Sequence, residues 1–373
     1  MKRRCGEFAA ARTLEAASES AGFQGDFWFK NPATCNLSPF PSALFMENVR
    51  ATGHLDLSAV AMKLVHSDTE LLGSLADLRV ASIGQLAIVL DRTAHGLQRR
   101  LRILEQANLV EVLARALTPR RGRPEHVLAL TKAGREALGV SGGKGSPEVK
   151  VHKEVRYVEH QLLITEFRVQ LIQLQRFLPG IQVQYLSSTH AGLCRIEPSP
   201  RAIGTRSVPT RGDAPQVTFI PDGAFALTHQ DAGKNLLFFL EVDRGNEPLT
   251  SGDAQRPFLQ SKISVYREYL LSERYKRFET ILNTPLKGFR LLIVLAGRAR
   301  LAGLLELVRV EAVTDFVWST DVERLKDQGC WGPVWIMGGR LAEPPQSILF
   351  SRMPQPCPTP GDLARNLVSE SIR

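Results

Sequence analysis

The 373-residue sequence is poor in cysteine and in long apolar runs, and each shortage excludes a class of protein. Its five cysteines lie far apart, with no CxxC pair and no nearby histidines at zinc spacing. This pattern predicts a reducing compartment and no structural zinc site. No apolar run reaches the roughly 18 to 20 residues of a membrane-spanning helix, and the basic N-terminus lacks the apolar core of a signal peptide. We therefore expect a cytoplasmic protein with no membrane contact.

Acidic residues are fewer than basic ones. The chain has 47 lysines and arginines against 38 aspartates and glutamates, for a formal net charge of +9, and its hydrophobic content of 43% is ordinary for a globular protein. A basic excess favours a polyanionic partner where the charge is clustered, whereas an even scatter indicates only solubility. The location of the basic residues therefore decides between a polyanionic partner and mere solubility.

The positive charge is concentrated between Arg92 and Pro124, where eight arginines stand against two acids. Two strand-like stretches, LVEVLARAL and EHVLALT, flank the basic loop TPRRGRP in this region. Before them, the apolar period predicts three short helices, over 69–77, 82–90 and 93–106. Three helices followed by a hairpin are the layout of a winged helix-turn-helix, and we predict such a DNA-binding domain over 67–140.

The third predicted helix has one apolar and one polar face. Leu97, Leu101 and Leu104 recur at i, i+4 and i+7, which turns the arginines and glutamines between them to the other side. A helix with exposed arginines suits the major groove, and a loop of arginines suits phosphates or the adjacent minor groove. The residues predicted to bind DNA are Gln98, Arg99, Arg102, Arg115, Arg120, Arg121 and Arg123. The alternative is a solvated basic surface on an ordinary helical domain.

The glycine- and serine-rich stretch LGVSGGKGSPEVK predicts a linker between two domains. After it, a long helix over 153–177 is followed by alternating strand-like and helix-like segments, a pattern typical of a mixed sheet covered by helices. The expected fold class is therefore α/β, and α+β overall. The predicted regions are an irregular arm over 1–66, the winged helix over 67–140, the linker over 141–150, the α/β domain over 151–340 and a tail over 341–373.

One apolar strand, LLFFLEVDRG, ends in two acids. Because side chains alternate along a strand, Glu241 and Asp243 point to the same face of the sheet, roughly 7 Å apart. A third acid, Asp222 in FIPDGAF, is expected on a neighbouring strand. Carboxylates that meet at a sheet edge repel one another unless a cation lies between them, and a set of oxygen ligands suits Mg²⁺ or Mn²⁺. The three acids are thus the predicted ligands of a Mg²⁺ or Mn²⁺ ion.

Lys262 stands on the next predicted helix, on an apolar stripe that also contains Phe258, Val265 and Tyr269. A lysine on an inward face needs a partner, since burying its charge unpaired is costly. The strand-end acids are the candidate partners. Two interpretations stay open, a catalytic lysine beside a metal and a structural salt bridge in a nuclease-like domain that no longer cuts.

The order of these elements resembles the PD-(D/E)XK core of restriction endonucleases. The resemblance rests on a helix that carries Glu166, then a strand, PD, ExD and a further helix. It implies a restriction-endonuclease-like sheet and catalytic roles for Asp222, Glu241, Asp243 and Lys262. In that superfamily a lysine ends the third motif, whereas Asp243 stands at that position here.

The two halves together resemble the replication-relaxation family of bacterial plasmids and mobile elements. The resemblance spans roughly residues 69–310 and rests on LTPRRGRPEHVLALTKAGREAL, HQLLITEFRVQL, PDGAFAL, FFLEVDRGNEPL and KISVYREYL. It implies a DNA-binding protein that acts in replication, DNA relaxation or mobilisation. Double-stranded DNA is the expected partner, with replication or mobilisation proteins and a second copy of the chain as further candidates. Two alternatives stay open, a winged-helix transcription regulator with a non-catalytic C-terminal domain and an active metal-dependent DNA endonuclease or nickase.

Overall fold

The fold is that of a computed structural model of the chain. The described residues are 64–113, 126–139, 154–188, 190, 192–193, 195–197, 218–230, 233–245, 248–250, 259–311, 313–349 and 359. Nearly all of the predicted arm, the linker over 141–150 and most of the predicted tail lie outside these ranges. The same holds for four of the predicted DNA-binding residues, Arg115, Arg120, Arg121 and Arg123.

A small antiparallel sheet packs against three helices in the first half of the described chain. Its strands are β1 (Val80–Ser82), β2 (Val110–Leu113) and β3 (Val127–Leu130), in the order β1-β3-β2. The helices are α1 (His66–Leu78), α2 (Ile83–Leu90) and α3 (Ala94–Gln106), and a short α4 (Lys132–Ala137) follows β3. The predicted order of three helices and a hairpin is present, whereas β1 and α4 are too short to show a period in the sequence.

Polar caps set the starts of α2 and α3. The Ser82 hydroxyl accepts the Gln85 amide at 3.2 Å, and the Gln85 side chain accepts the Ser82 amide at 3.0 Å. This reciprocal pair is a capping box, which satisfies two backbone donors that the helix itself leaves free. Thr93 accepts the Gly96 amide at 3.2 Å and so begins α3. Both starts therefore follow from local sequence.

The second sheet is mixed and larger. Within the described residues its strand order is β4-β5-β6-β7-β8-β9, with β6, β7 and β8 parallel and the remaining pairs antiparallel. The strands are β4 (Ile181–Ser187), β5 (Gly223–His229), β6 (Lys234–Asp243), β7 (Phe289–Leu295), β8 (Val317–Asp321) and β9 (Ile336–Met337). The predicted mixed sheet is confirmed.

Helices cover both faces of the mixed sheet. One face carries α5 (Val155–Phe177) and α9 (Val322–Gln328), and the other carries α6 (Leu259–Leu271), α7 (Arg277–Leu282) and α8 (Arg298–Arg309). Strand β6 shows the consequence, because its consecutive residues Phe238 and Phe239, which point to opposite faces, are both fully buried, in different clusters. A strand buried on both sides reads as a continuous apolar run, and this explains LLFFL.

Helix α5 joins the two sheets. Its residues Val158 and Leu162 share a small apolar cluster with strand residues Val80, Leu113, Val127 and Ala129. Farther along, the Thr165 hydroxyl donates to the Val80 carbonyl at 2.7 Å. At the other end, Arg176 donates to the Ile88 and Val89 carbonyls at 2.5 and 2.7 Å, which satisfies the C-terminal end of α2. The small sheet and α2 are therefore held against one long helix.

The packed structure continues past residue 340 into the segment predicted as a tail. Ile348 and Leu349 are buried in the cluster that contains Trp331 and Trp335. Beyond Leu349, the structure describes only residue 359. None of the helices in the described part of the chain combines the length and the apolar character that a bilayer crossing requires.

Candidate functional site

The polar face of α3 is open to solvent. Leu97, Leu101 and Leu104 are buried against the core of the small sheet and its helices, as their spacing predicts. Gln98, Arg99 and Arg102 are exposed on the opposite side. Among the described residues, no side chain pairs with either of these two arginines. The three polar side chains are therefore available to a partner.

Two other arginines of the basic segment have structural partners. Arg100 forms a two-point ion pair with Asp68, which is 0% exposed on α1. Arg92 pairs with Glu70 at 2.5 Å. Burial alone raises the pKa of Asp68, but hydrogen bonds from Arg100 and from the Val65 amide lower it, and the net pKa lies below its ordinary value. Fewer arginines of this segment are therefore free to contact a partner than the sequence alone indicates.

Glu241 is buried near the end of β6, where it is 5% exposed. Its Oε1 accepts a hydrogen bond from the Tyr266 hydroxyl at 2.7 Å, and its Oε2 lies 3.5 Å from Nζ of Lys262. Burial and the charge of Glu241 raise the pKa of Tyr266 well above its ordinary value, so this hydroxyl stays protonated and donates. Lys262 also lies over the ring of Phe219, 5.8 Å from its centroid. The inward-facing lysine therefore has a strand-end acid as its partner.

Asp243 shares the strand face of Glu241 but binds a different helix. Its Oδ2 lies 2.6 Å from Nε of Arg300 on α8. Its Oδ1 accepts the Gly245 amide at 2.8 Å. Gly245 has a φ of 83°, a conformation that glycine adopts without the steric cost of a Cβ atom. Asp243 therefore closes the turn after β6 and neutralises an arginine.

Asp222 lies just before β5 and has two partners. Its Oδ2 accepts the Val242 amide at 2.8 Å, and its Oδ1 lies 3.0 Å from Nε2 of His160 on α5. Burial alone lowers the pKa of His160, but the hydrogen bond and the charge of Asp222 raise it, and the net pKa lies above its ordinary value. No local spacing in the sequence indicates His160, because its partner stands 62 residues away along the chain.

The three predicted metal ligands are not assembled around one point. Among the described residues there is no group of three or more His, Cys, Asp and Glu side chains that could hold a metal ion. Glu241 and Asp243 are engaged by Lys262 and Arg300 on separate helices, and Asp222 by a backbone amide and a histidine. Mg²⁺ requires oxygen ligands directed at one centre, so this arrangement does not fit Mg²⁺ or Mn²⁺. Each of the three carboxylates has its own protein partner in this structure, and their joint binding of a metal ion stays a prediction.

Glu166, the helix acid in the nuclease-like order of elements, has other partners as well. Its carboxylate accepts hydrogen bonds from the side-chain amides of Gln85 at 2.9 Å and Gln170 at 3.3 Å. Gln85 also donates to the Leu162 carbonyl at 3.3 Å. Glu166 therefore helps to hold α2 against α5.

The sequence matches the replication-relaxation family over residues 72–282, which is more than half of the chain. The chain belongs to the replication-relaxation family. The matched range contains the small sheet with part of α1 and all of α2, α3 and α4. It also contains Asp222, the strand that carries Glu241 and the helix that carries Lys262. The family resemblance drawn from the sequence motifs is thus confirmed.

Other comparisons add little to this assignment. None of the curated proteins compared with this replication-relaxation chain matches it. Among solved structures, the chain is similar to a double mutant of Lactococcus lactis ZitR at 17% sequence identity, with a TM-score of 0.19. That match covers 26% of this chain and 65% of the ZitR chain, which is less than two thirds of the ZitR length.

Proposed function

We propose that this replication-relaxation protein binds double-stranded DNA through α3 and the arginine loop (residues 114–125). In this role it acts in the replication, relaxation or mobilisation of a plasmid or an integrated element. The observation that carries the proposal is the exposed face of α3, on which Arg99 and Arg102 have no partner among the described residues. Arginine is the side chain that most often reads guanine in the major groove. The loop supplies four further arginines, which suit phosphates.

The contrast between neighbouring arginines of α3 supports this assignment. Arg100 points inward and forms an ion pair with Asp68, whereas the neighbouring Arg99 points outward. The Arg100–Asp68 ion pair links α3 to α1. A helix that reads base edges needs a fixed position of this kind, because the reading side chains must keep their register on the duplex.

Arg99→Ala and Arg102→Ala are each expected to weaken binding to the preferred duplex by about 1 to 3 kcal/mol and to relax its sequence preference. Fluorescence anisotropy with a selected duplex and a scrambled one measures both effects. Arg100→Ala is the matched control, since it removes the same charge from the same helix. It is expected to lower the free energy of unfolding, because Asp68 loses its partner while buried, and to leave the sequence preference of the folded protein unchanged. Wild-type affinity and preference in both Arg99 and Arg102 variants would remove α3 as the reading helix.

In this proposal the mixed-sheet domain is a nuclease-like domain that no longer cuts. The ion pairs Glu241–Lys262 and Asp243–Arg300 support it, because each supplies the charge compensation that a metal ion would otherwise have to provide. A transcription regulator would share the same DNA-binding half. Loss of plasmid replication in the Arg99 variant, with unchanged transcription of neighbouring genes, separates the two roles.

The second candidate function is metal-dependent nicking of DNA by Asp222, Glu241, Asp243 and Lys262. The approach of Lys262 to Glu241 favours it, since nuclease cores of this kind bring a lysine to the acid of the third motif. Supercoiled plasmid with millimolar Mg²⁺ or Mn²⁺ provides the test, and we expect it to stay supercoiled. Nicking that is abolished by Glu241→Gln, but retained in Glu311→Gln, would establish the enzyme instead. Glu311 is a suitable control because it also forms an ion pair, with Arg267 at 2.8 Å.

A further inference from the structure

An open cleft lies where β7 and β8 begin, at the opposite end of the parallel strands from the strand-end acids. Val313 and Leu341 line it and are 54% and 59% exposed. Val310, which is 77% exposed, directly follows Arg309, another lining residue at the end of α8. We call Val310, Val313 and Leu341 the edge patch. Single exposed apolar residues are ordinary, whereas a cluster of them marks an interaction surface.

The exposed position of Leu341 is fixed by the loop that carries it. The Gly338 amide donates to the Val317 carbonyl of β8 at 2.9 Å. Gly339 has a φ of 73°, and a Cβ atom on it would lie 2.8 Å from the Leu305 carbonyl oxygen of α8. Glycine therefore lets the loop pack this closely against the helix. The loop presents Leu341 to solvent from a defined backbone position.

Val313 has a backbone conformation that valine rarely adopts. Its φ is 56°, in the left-handed region, where a β-branched side chain is strained and asparagine or glycine is tolerated. Because the side chain is also exposed, this strain is not offset by burial in the core. A strained residue of this kind is a reason to look for a function. Strain and exposure together indicate that the valine side chain makes a contact outside its own fold.

The charges around the edge patch are balanced, although the chain as a whole has a net charge of +9. The ion-pair partners that lie outside the cleft, Glu306 and Arg267, add one charge of each sign. This face therefore has no net charge that would attract a polyanion such as DNA. The charged side chains that line the cleft are three of each sign, namely Arg290, Arg309, Arg340, Glu311, Asp315 and Glu343.

We propose that two copies of this chain associate through the edge patch, with the apolar side chains at the centre of the contact and the charged ones at its rim. Copies of a chain with a net charge of +9 repel each other, and they approach most readily at a face whose charges are balanced. A twofold axis brings the same face of each copy together, so that arginines of one copy meet acids of the other. The inference goes beyond the proposed function and does not depend on it.

Sedimentation velocity of the full-length chain without DNA, over a series of micromolar concentrations, tests the inference. The wild type should form a dimer. Val313→Asn with Leu341→Asn should raise the dimer dissociation constant roughly tenfold or more, because a symmetric dimer loses each apolar contact twice.

Val313→Asn alone separates a lost contact from a damaged fold. Asparagine tolerates a positive φ, so the thermal unfolding temperature of the dilute, monomeric variant should be unchanged or higher, while its dimer is weaker. A variant that failed to fold would not give this combination.

Val65→Asn with Val155→Asn is the matched control. Both valines are exposed, at 49% and 37%, at the starts of α1 and α5, and neither lines the cleft. This variant should dimerise like the wild type. A wild-type chain that stays monomeric throughout the series overturns the inference, as does an edge-patch variant that dimerises as strongly as the control. Equal weakening in the control also overturns it, and DNA binding through α3 stands in all three cases.

Discussion

Replacing Arg120, Arg121 and Arg123 together by alanine is expected to weaken binding to all DNA sequences by roughly two orders of magnitude or more at about 0.1 M salt. The three arginines stand in the segment TPRRGRP, in which they are the only charged residues. Each phosphate contact adds about 0.9 to the slope of log affinity against log salt, so three lost contacts should lower that slope by roughly 2.7. Anisotropy titrations between about 0.05 and 0.2 M salt span the range in which the change is large.

The control for this variant replaces the same three arginines by lysine. Lysine keeps the charge but not the fork-shaped donor group, so the salt slope should stay near the wild-type value. Sequence preference should be the same in the alanine and wild-type proteins, because phosphate contacts do not read bases. If the alanine variant keeps the wild-type slope, the loop does not contact phosphates. The proposal then has no explanation for most of the affinity for DNA.

Lys262→Met is expected to lower the free energy of unfolding by about 2 to 4 kcal/mol. Glu241 is 5% exposed, and the variant removes the cation that lies beside its Oε2, while the hydrogen bond from the Tyr266 hydroxyl is kept. A buried carboxylate without a compensating cation is costly, and methionine fills the space of the lysine stem without supplying that cation. Urea unfolding of the full chain measures the loss.

The double variant Glu241→Gln with Lys262→Met separates lost charge compensation from lost packing. It is expected to unfold within about 1 kcal/mol of the wild type, because no buried charge remains without a partner. Lys326→Met, at an exposed position on α9, should change stability by no more than about 0.5 kcal/mol. If the double variant loses as much free energy of unfolding as the two single variants lose together, Glu241 and Lys262 contribute independently, contrary to their ion pair.

Much of the fold was predictable because its signals are local. The leucines of α3, with the caps at Ser82 and Thr93, specify which residues form the helices and which face is buried. The apolar run of β6 indicates a strand covered on both sides. A lysine among apolar neighbours on α6 indicates that a buried acid must lie opposite it, and Glu241 is that acid. These features depend on backbone geometry and on burial, which neighbouring residues determine together.

By itself, the sequence determined the order of the longer helices and strands, the family, the basic character of the segment around α3 and the shared face of Glu241 and Asp243. Only the tertiary structure decided the partners. It assigned Arg100 to Asp68 while leaving Arg99 exposed, and it joined His160 to Asp222. It also gave each strand-end acid its own partner, where sequence reasoning predicted one shared metal ion. The physical reason is that periodicity reports the direction of a side chain, whereas a charge is compensated by whichever group the packing of distant segments brings within hydrogen-bonding distance.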